Sequence, residues 1–336
     1  MTRRLRVMQS FTTPRTTTNP YIAMLAESLR GEPRVELVTF SWPRALLGRY
    51  QAFHWHWPEA RLASGSPLRR HLKKLLLRLL AERHRRSRRI GVVRTAHNPD
   101  LPDIADDERA LLARIQEDAD VVIRLNPTTA VDAGALVHDI PHGDYRAWFA
   151  GHSRPQRRPG RVVTFGQLRG YKGVEDLLLA FDEAHDIDHA LSLTVAGRPT
   201  SAELTARLLA AASTGVTLDL RFVPDEELVQ IISSASLVVL AYRDLHNSGS
   251  ALAALSLNRP VLVPRSASTD ALATDVGEEW VIRYERLTGT VLREAIAAAE
   301  LLADDAAPDL SRRDWSEAGR RHADAYYAAR AHRRSR

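Results

Sequence analysis

Two cations stand in one loop of the sequence, between an apolar strand pattern and a helix pattern. In the segment FGQLRGYKGVEDLLLAF (165–181) the strand ends at Gly166, Arg169 and Lys172 follow, and Gly173 leads into the helix. The N–H groups at a helix start, together with an ammonium and a planar guanidinium, form an anion site suited to phosphate oxygens. An exposed basic turn is the alternative interpretation when this loop is taken alone.

A second loop of the same kind lies in AYRDLHNSGSALAALSLNRPVLVP (241–264). There Asn247, Ser248, Gly249 and Ser250 follow a strand pattern and open a helix of small residues. Glycine lets a ligand approach the backbone, and the serine hydroxyls add donors beside the helix amides. The segment predicts a second anion cradle, although an ordinary turn and helix cap would have the same residues.

Histidines and carboxylates of the first half could transfer protons. The segment FHWHWPEA (53–60) ends one strand pattern and TAHN (95–98) ends another. A histidine or carboxylate beside an acceptor hydroxyl can act as a general base. The alternatives are that the tryptophans pack a core edge rather than a sugar, and that the histidines make only structural hydrogen bonds. The candidates for proton transfer are His54, His56, Glu59, His97, Asp100 and Asp103.

The elements that position these residues alternate between strand and helix along the whole chain. In the first half, strands are expected at 5–9, 35–40, 52–57, 90–96, 120–125 and 136–140, with helices from Asn19-Pro20, over 68–89, near 107–118 and at 127–136. In the second half, strands are expected at 161–166, 191–197, 216–223, 236–241 and 260–264, with helices at 173–186, 200–212, 225–234 and 250–258. Apolar strands that alternate with helices indicate parallel βαβ units. The fold class is therefore α/β, with two doubly wound, Rossmann-like domains.

The domain organisation follows from a break in this alternation. The polar, proline-bearing stretch HSRPQRRPG (152–160) has the composition of a linker, so we expect domains at 1–152 and 160–310. A helix over 311–330 is expected to cross back to the first domain. Ligands of doubly wound sheets bind at the carboxyl ends of the strands, so a cleft there should hold the site.

Composition excludes several classes of protein. The 336 residues are 44% hydrophobic and 26% charged, which is typical of folded domains. The chain has no cysteine, so disulfides, thiolate nucleophiles and cysteine metal sites are excluded. No apolar run has the length of a signal peptide or a membrane span. We therefore expect a cytoplasmic chain, or one that lies on a membrane surface.

The net charge of +6 is concentrated in residues 68–89, which carry ten Lys/Arg and one acid, Glu82. The segment also has six leucines at helical spacing, so it predicts a helix with an apolar face and cationic flanks. Three interpretations stay open: a helix packed on the core, attachment to anionic lipid headgroups, and nucleic-acid binding. Nucleic acid is the weakest of these, because no nucleic-acid-binding motif accompanies the charge. The leucines are Leu68, Leu72, Leu75, Leu76, Leu79 and Leu80.

The motifs together resemble a known family. The segments IPHGDY (140–145), FGQLRGYKGVEDLLLAF, LTVAGRP, FVPDEELVQIISSASLVVLAYRD and NSGSALAALSLNRPVLVP occur in the order and spacing of nucleotide-sugar glycosyltransferases of GT-B fold. The likeness is to group-one, retaining-type members. HWHWPE and TAHN look like a bacterial subgroup that builds exopolysaccharide, including mannosyltransferase-like members.

The resemblance implies roles for particular residues. Arg169 and Lys172 match the pair that binds the donor diphosphate and stabilises the leaving nucleotide, with no metal ion and no cofactor. His97 matches the histidine that reaches towards the donor sugar, while Glu59 and Asp100 are further candidates on the acceptor side. The donor-binding set it implies is Gly166, Arg169, Lys172, Arg198, Phe222, Val223, Asn247, Ser248, Gly249 and Ser250.

Two departures from the family pattern concern the donor sugar. Leu245 and Ala253 occupy the positions where most retaining members have two glutamates. The glycine pair of the first loop is replaced by Thr16-Thr17-Thr18-Asn19. The donor and the stereochemical outcome therefore stay open.

The resemblance implies transfer of a hexose from a nucleoside diphosphate sugar, GDP-mannose or a UDP-hexose, to a saccharide or glycolipid acceptor in surface polysaccharide biosynthesis. A lipid-linked acceptor would account for the basic helix at 68–89 and for a peripheral location at the inner face of the plasma membrane. Two alternatives remain: a nucleotide-sugar epimerase of the same fold, and a non-catalytic subunit that binds a sugar nucleotide.

Overall fold

The protein is described by a computed structural model that covers residues 4–15, 18–62, 66–97, 104–131, 134–242 and 249–335. The chain forms two compact units. The first unit contains residues 1–143 and 313–336, and the second contains residues 144–312. The polar stretch 152–160 thus belongs to the second unit, and the helix after Arg313 belongs to the first.

In the described part of the first unit, six parallel strands form one sheet in the order β2-β1-β3-β4-β5-β6. The strands are β1 (Leu5–Gln9), β2 (Val35–Val38), β3 (Ala52–Trp55), β4 (Gly91–Ala96), β5 (Val121–Arg124) and β6 (Leu136–Asp139). The helices are α1 (Pro20–Gly31), α2 (Trp42–Leu47), α3 (Pro67–Arg86), α4 (Asp106–Glu117) and α12 (Trp315–Ser335). The predicted helix start at Asn19 is found, because its side chain accepts a hydrogen bond from the Tyr21 N–H.

Alternate residues of these strands enter different cores. Val7 and Val93 pack with α1 and α12 on one face of the sheet. Met8 and Val92 pack with α3 and α4 on the other. Both faces of the sheet are therefore covered by helices, which fits the mainly apolar residues of its central strands.

The second unit has a sheet of six parallel strands within its described residues, in the order β12-β11-β10-β7-β8-β9. The strands are β7 (Arg161–Phe165), β8 (Ser192–Ala196), β9 (Val216–Asp219), β10 (Leu237–Val239), β11 (Val261–Pro264) and β12 (Val281–Tyr284). The helices are α5 (Arg146–Phe149), α6 (Val174–His185), α7 (Ala202–Ala211), α8 (Asp225–Ser233), α9 (Gly249–Ser256), α10 (Ala267–Val276) and α11 (Gly289–Glu300). This strand order is that of the dinucleotide-binding Rossmann fold, and it reverses direction between β7 and β10.

The helix predicted at 127–136 was wrong for the described part of that range. Residues 127 and 128 form a turn, in which the Asn126 side chain accepts hydrogen bonds from the Thr128 N–H and hydroxyl, and residues 129–131 are irregular. Asparagine before proline favours such a turn over a helix. The sequence reading also missed α2 and α5, both short, and the run α10, β12 and α11 that completes the second sheet.

Candidate functional site

The loops that follow β7 and β10 carry the two predicted anion-binding segments. These strands are neighbours in the sheet, although they are separated by three α-helices and two strands in sequence. Because the strand order reverses between them, their loops leave in opposite directions and open a crevice at the carboxyl edge. Helix α6 begins after the first loop and α9 begins after the second, so both present N-terminal amides at this edge.

Gly166 lies where the two loops meet. A Cβ atom at this position would be 3.3 Å from Lys172 Nζ and 3.6 Å from Ser250 Oγ. An ammonium from the first loop and a hydroxyl from the second therefore converge above a residue without a side chain. The backbone φ of Gly166 is +104°, a conformation that other residues rarely adopt.

Tyr242 contacts residues of both loops, and the sequence analysis did not name it. Its hydroxyl donates to Ser250 Oγ at 3.1 Å, and Lys172 Nζ lies 4.6 Å from the centroid of its ring. Burial raises the pKa of Tyr242 to about 12. The available signal was its place directly after a buried strand, where ligand-contacting residues of this fold collect.

Lys172 is 9% exposed, and burial lowers its pKa to about 8. The nearby positive charge of Arg169 lowers the pKa further, while Tyr171 raises it. Arg169 itself is exposed and donates to Gln167 Oε1 at 2.8 Å. A buried cation whose charged form is disfavoured by burial and by a nearby positive charge is stabilised when an anion arrives.

The close approach of the loops depends on Gly173. A Cβ atom there would be 2.1 Å from the carbonyl oxygen of Ala241, and its φ is +59°. The chain can therefore start α6 beside the end of β10 only with glycine at this position.

Three further donor-side candidates follow β8 and β9, on the side of β7 away from β10. Arg198 is exposed, and its carbonyl accepts from the Leu168 N–H at 3.0 Å. Phe222 is 75% exposed and Val223 is half-buried. Gly249 and Ser250 form the first turn of α9. Asn247, Ser248 and Leu245 lie outside the described residues.

In the first unit, His97 follows β4 and is held by its neighbours. Its Nε2 lies 3.1 Å from His56 Nδ1. Its ring stacks on Trp57, with centroids 3.6 Å apart and planes inclined by 17°. Trp57 has φ +43° and ψ +65°, a left-handed conformation that is strained for a bulky residue. Burial and the neighbouring histidines hold the pKa of His97 well below its usual range.

The histidines of β3 are buried behind His97. His54 is fully buried and His56 is 4% exposed, so these two candidates are placed as partners of other side chains. Trp55 is 1% exposed and packs on Phe53 and His84, so stacking of this ring on a sugar is excluded.

The other acceptor-side candidates divide into two groups. Glu59 lies in the short 3₁₀ helix Pro58–Arg61, and its partial burial raises the pKa of its carboxyl. Asp100 and Asp103 lie outside the described residues. Among the residues that the structure describes, no group of three or more histidines, aspartates or glutamates is arranged to hold a metal ion.

The comparisons with known proteins agree with this geometry. The profile of the glycosyl transferases group 1 family matches residues 159–302, which form most of the second unit. The fold is also that of a glycosyltransferase involved in avilamycin A biosynthesis, with a TM-score of 0.60, 14% identity and coverage of 97% of this chain and 98% of that one. A second structure of this fold is a glycosyltransferase involved in lipopolysaccharide biosynthesis, with a TM-score of 0.55, 15% identity and 97% coverage of both chains.

The chain belongs to the group 1 glycosyltransferases of GT-B fold and is a transferase. A relative from Xanthomonas campestris pv. campestris, a GDP-mannose:glycolipid 4-beta-D-mannosyltransferase, is 37% identical over 333 residues. The alignment covers 97% of this chain and 93% of that protein, so the likeness extends through both units.

Proposed function

We propose that the protein transfers mannose from GDP-mannose to a hydroxyl group of a lipid-linked saccharide. The observation that carries the proposal is the convergence of Lys172 Nζ and Ser250 Oγ at Gly166, beside the starts of two helices. Such a site fits a diphosphate, whose leaving oxygen gains negative charge as the glycosidic bond breaks. The name of the Xanthomonas relative supports mannose as the sugar and a glycolipid as the acceptor.

The two units have different tasks in this proposal. In the second unit, Lys172, Arg169, Ser250 and the N-terminal amides of α9 bind the diphosphate without a metal ion. Arg198 and the exposed ring of Phe222 contact the nucleoside. In the first unit, His97 serves the acceptor, and Glu59 is a further candidate for orienting it.

Donor binding tests the phosphate site directly. Titration calorimetry with GDP, UDP, ADP and TDP should show the tightest binding for GDP. Lys172→Ala and Arg169→Ala should each lower kcat/KM by about 100-fold, because each removes a charge that stabilises the leaving diphosphate. The matched control is Arg207→Ala, which removes an exposed arginine of α7 that pairs with Glu175. Wild-type kinetics in both loop variants would contradict the proposed site.

The alternatives give different products with labelled GDP-mannose. Release of GDP that depends on a lipid-linked acceptor supports transfer. Conversion of the donor to an isomer without acceptor would support the epimerase, and binding without turnover would support the non-catalytic subunit.

Helix α3 supports a membrane-bound acceptor. Its leucines lie on two different sides: Leu77 and Leu80 are fully buried in the core, whereas four others are 50–80% exposed. The spacing of the exposed leucines places them on one side of the helix, flanked by arginines. We infer that this side lies in the interface of an anionic membrane. The exposed leucines are Leu68, Leu72, Leu75 and Leu79.

Some cations of α3 pair with acidic side chains of α4. Arg70 makes two hydrogen bonds to Glu108 of α4, and Lys74 pairs with Asp107. Substituting these cations would also disturb the packing of α3 on α4. Within the described residues, every helix is too short or too polar to span a bilayer.

The exposed leucines therefore give the sharper test. The double variant Leu72→Ser/Leu75→Ser should reduce cosedimentation with phosphatidylglycerol vesicles by at least about tenfold, because each leucine loses apolar contact with lipid. Leu179→Ser is the matched control, since Leu179 of α6 is 65% exposed. Equal sedimentation of the double variant and the wild type would exclude the exposed leucines of α3 as a membrane-binding surface.

A further inference from the structure

A continuous chain of buried polar side chains lies behind His97 in the first unit. His97 Nε2 is 3.1 Å from His56 Nδ1, and His56 Nε2 is 3.1 Å from Gln9 Oε1. Gln9 Nε2 donates to the Tyr326 hydroxyl at 2.9 Å. That hydroxyl is 2.9 Å from His54 Nδ1, and His54 Nε2 is 2.8 Å from Thr95 Oγ1. The chain thus joins β1, β3, β4 and α12.

The direction of every hydrogen bond in this chain follows from the amide of Gln9. Its oxygen faces His56, so His56 Nε2 carries a hydrogen and donates. Burial holds the pKa of His56 well below its usual range, so the ring is neutral and its Nδ1 is an acceptor. His97 Nε2 must then donate to His56. In a neutral His97 the hydrogen on Nε2 leaves Nδ1 with its lone pair.

The hydrogen bonds that run from Gln9 to Thr95 are consistent with this assignment of donors and acceptors. Tyr326 accepts from Gln9, and the residue is fully buried, so its single hydroxyl hydrogen is directed to His54 Nδ1. His54 Nε2 then donates to Thr95. One set of neutral tautomers therefore satisfies every atom pair of the chain.

We propose that Gln9, His56 and Tyr326 are positioning residues that fix His97 as the Nε2–H tautomer, so that His97 Nδ1 accepts the proton of the acceptor hydroxyl. The proposal rests on the proposed function, because it assigns the base of that transfer. Trp57 adds a further constraint, since its ring lies flat on His97 and limits rotation of the imidazole.

Transfer of the sugar to the acceptor is a direct displacement at the anomeric carbon. The acceptor O–H bond breaks and its proton goes to His97 Nδ1, while the oxygen's electron pair forms the bond to the anomeric carbon. The bond from that carbon to the diphosphate breaks, and its electron pair leaves with the GDP. The imidazolium keeps its Nε2–H bond to His56, so the chain needs no rearrangement during the step. The configuration at the anomeric carbon is inverted.

The tautomer can be measured without any catalysis. In protein labelled with ¹⁵N-histidine, long-range ¹H–¹⁵N spectra at pH 7.5 should show His97 with a protonated Nε2 and an unprotonated Nδ1. His97→Asn assigns the signals by their loss. A protonated Nδ1 would overturn the proposal even if the enzyme transfers mannose, whereas the expected tautomer in a protein without transferase activity would refute only the proposed function.

Tyr326→Phe tests the positioning role, because it removes the hydroxyl that holds Gln9 and keeps the ring in the core. We expect kcat to fall about tenfold with KM for GDP-mannose unchanged, and a share of His97 to gain the Nδ1–H form. The matched control is Tyr50→Phe, which removes another buried hydroxyl of the first unit, 3.0 Å from His84 Nε2. Lower thermal stability with an unchanged kcat and an unchanged His97 spectrum would overturn the positioning role. A product with the anomeric configuration of the donor would also overturn it.

Discussion

At the scale of single residues, the proposed role of the buried Lys172 ammonium predicts that donor binding depends on pH. Its pKa is about 8 before a ligand binds, because burial disfavours the charged form. A diphosphate favours that form, so donor binding takes up a proton when the pH is above this value. Binding should therefore be independent of pH below about 7 and weaken by about tenfold per unit well above pH 8.

Titration calorimetry with GDP from pH 6.5 to 9.5 measures this dependence. Lys172→Arg should remove it, since a guanidinium stays charged throughout the range. If wild-type affinity were constant up to pH 9.5, the ammonium would not contact the diphosphate.

The sequence predicted part of the cluster around Gly166 at this scale. Gly166, Lys172 and Ser250, which the structure brings together, were named from the sequence because glycines, cations and hydroxyls near helix starts have a recognisable local pattern. Tyr242 was missed, since its contact with Ser250 depends on how the chain turns between β10 and α9. The hydrogen bond between Gln9 and Tyr326 behind His97 was missed for a similar reason, since these two residues are 317 positions apart in the sequence.

At the scale of elements, α12 is anchored to the sheet by a buried ion pair. Asp120, before β5, is fully buried and accepts from Arg333 Nε at 2.8 Å and from the Val92 N–H at 2.8 Å. Arg333 also donates to the carbonyl oxygen of Asp118. Removing one partner of a buried pair leaves an uncompensated charge and typically costs about 3–5 kcal/mol.

Asp120→Ala should lower the free energy of unfolding of the first unit by about this amount in urea titrations. The control is Asp324→Ala on α12, which removes the exposed partner of Arg34. This variant should lower the free energy of unfolding by less than about 1 kcal/mol. Equal costs for the two variants would show that the buried pair does not anchor α12.

The spacing of the leucines in α3 does not predict which of them are buried. The leucine periodicity correctly predicted a helix, but it placed Leu68, Leu72, Leu75, Leu76, Leu79 and Leu80 on a single apolar face. The structure buries Leu80 together with Leu77 and leaves Leu76 half-buried. The exposed leucines are Leu68, Leu72, Leu75 and Leu79. Which side of a helix is covered depends on α4 and the sheet, and these contacts are distant in sequence.

At the scale of the whole molecule, buried histidines make the two units differ in their response to acid. Among the residues that the structure describes, six histidines have lowered pKa values because of burial, and these six lie in the first unit. The pKa of His84 is lowered to about 3, and those of His142 and His322 to about 4. The unfolded chain therefore binds more protons than the folded chain as the pH falls below about 6.5.

The stability of the first unit should be complete above pH 6.5 and decline between pH 6.5 and 4. Each such histidine contributes up to about 1.4 kcal/mol per pH unit in this window. Hydrogen exchange resolved by peptide at pH 7.5, 6 and 5 should show protection lost from β1 and β3 before β7 and β8. Loss in the reverse order would contradict this account. His84→Phe should reduce by one the number of protons that the first unit takes up on unfolding in acid.

The parallel sheets were predictable at this scale, because alternating apolar strands and helices leave few other arrangements. The expected fold class is confirmed by both sheets and by the glycosyltransferases of the same fold. The edge strand β12 was not predicted, since VIRY has only four residues and a central arginine.

The membership of α12 in the first unit has a consequence for biosynthesis. On the ribosome, the entire second unit is translated before Tyr326 and Arg333 emerge. Until then α1 covers that flank of the nascent first sheet without α12, and the hydrogen-bond chain behind His97 lacks Tyr326. A premature stop codon before Trp315 would thus leave the second unit intact and expose apolar residues of the first sheet, which chaperones and proteases would recognise.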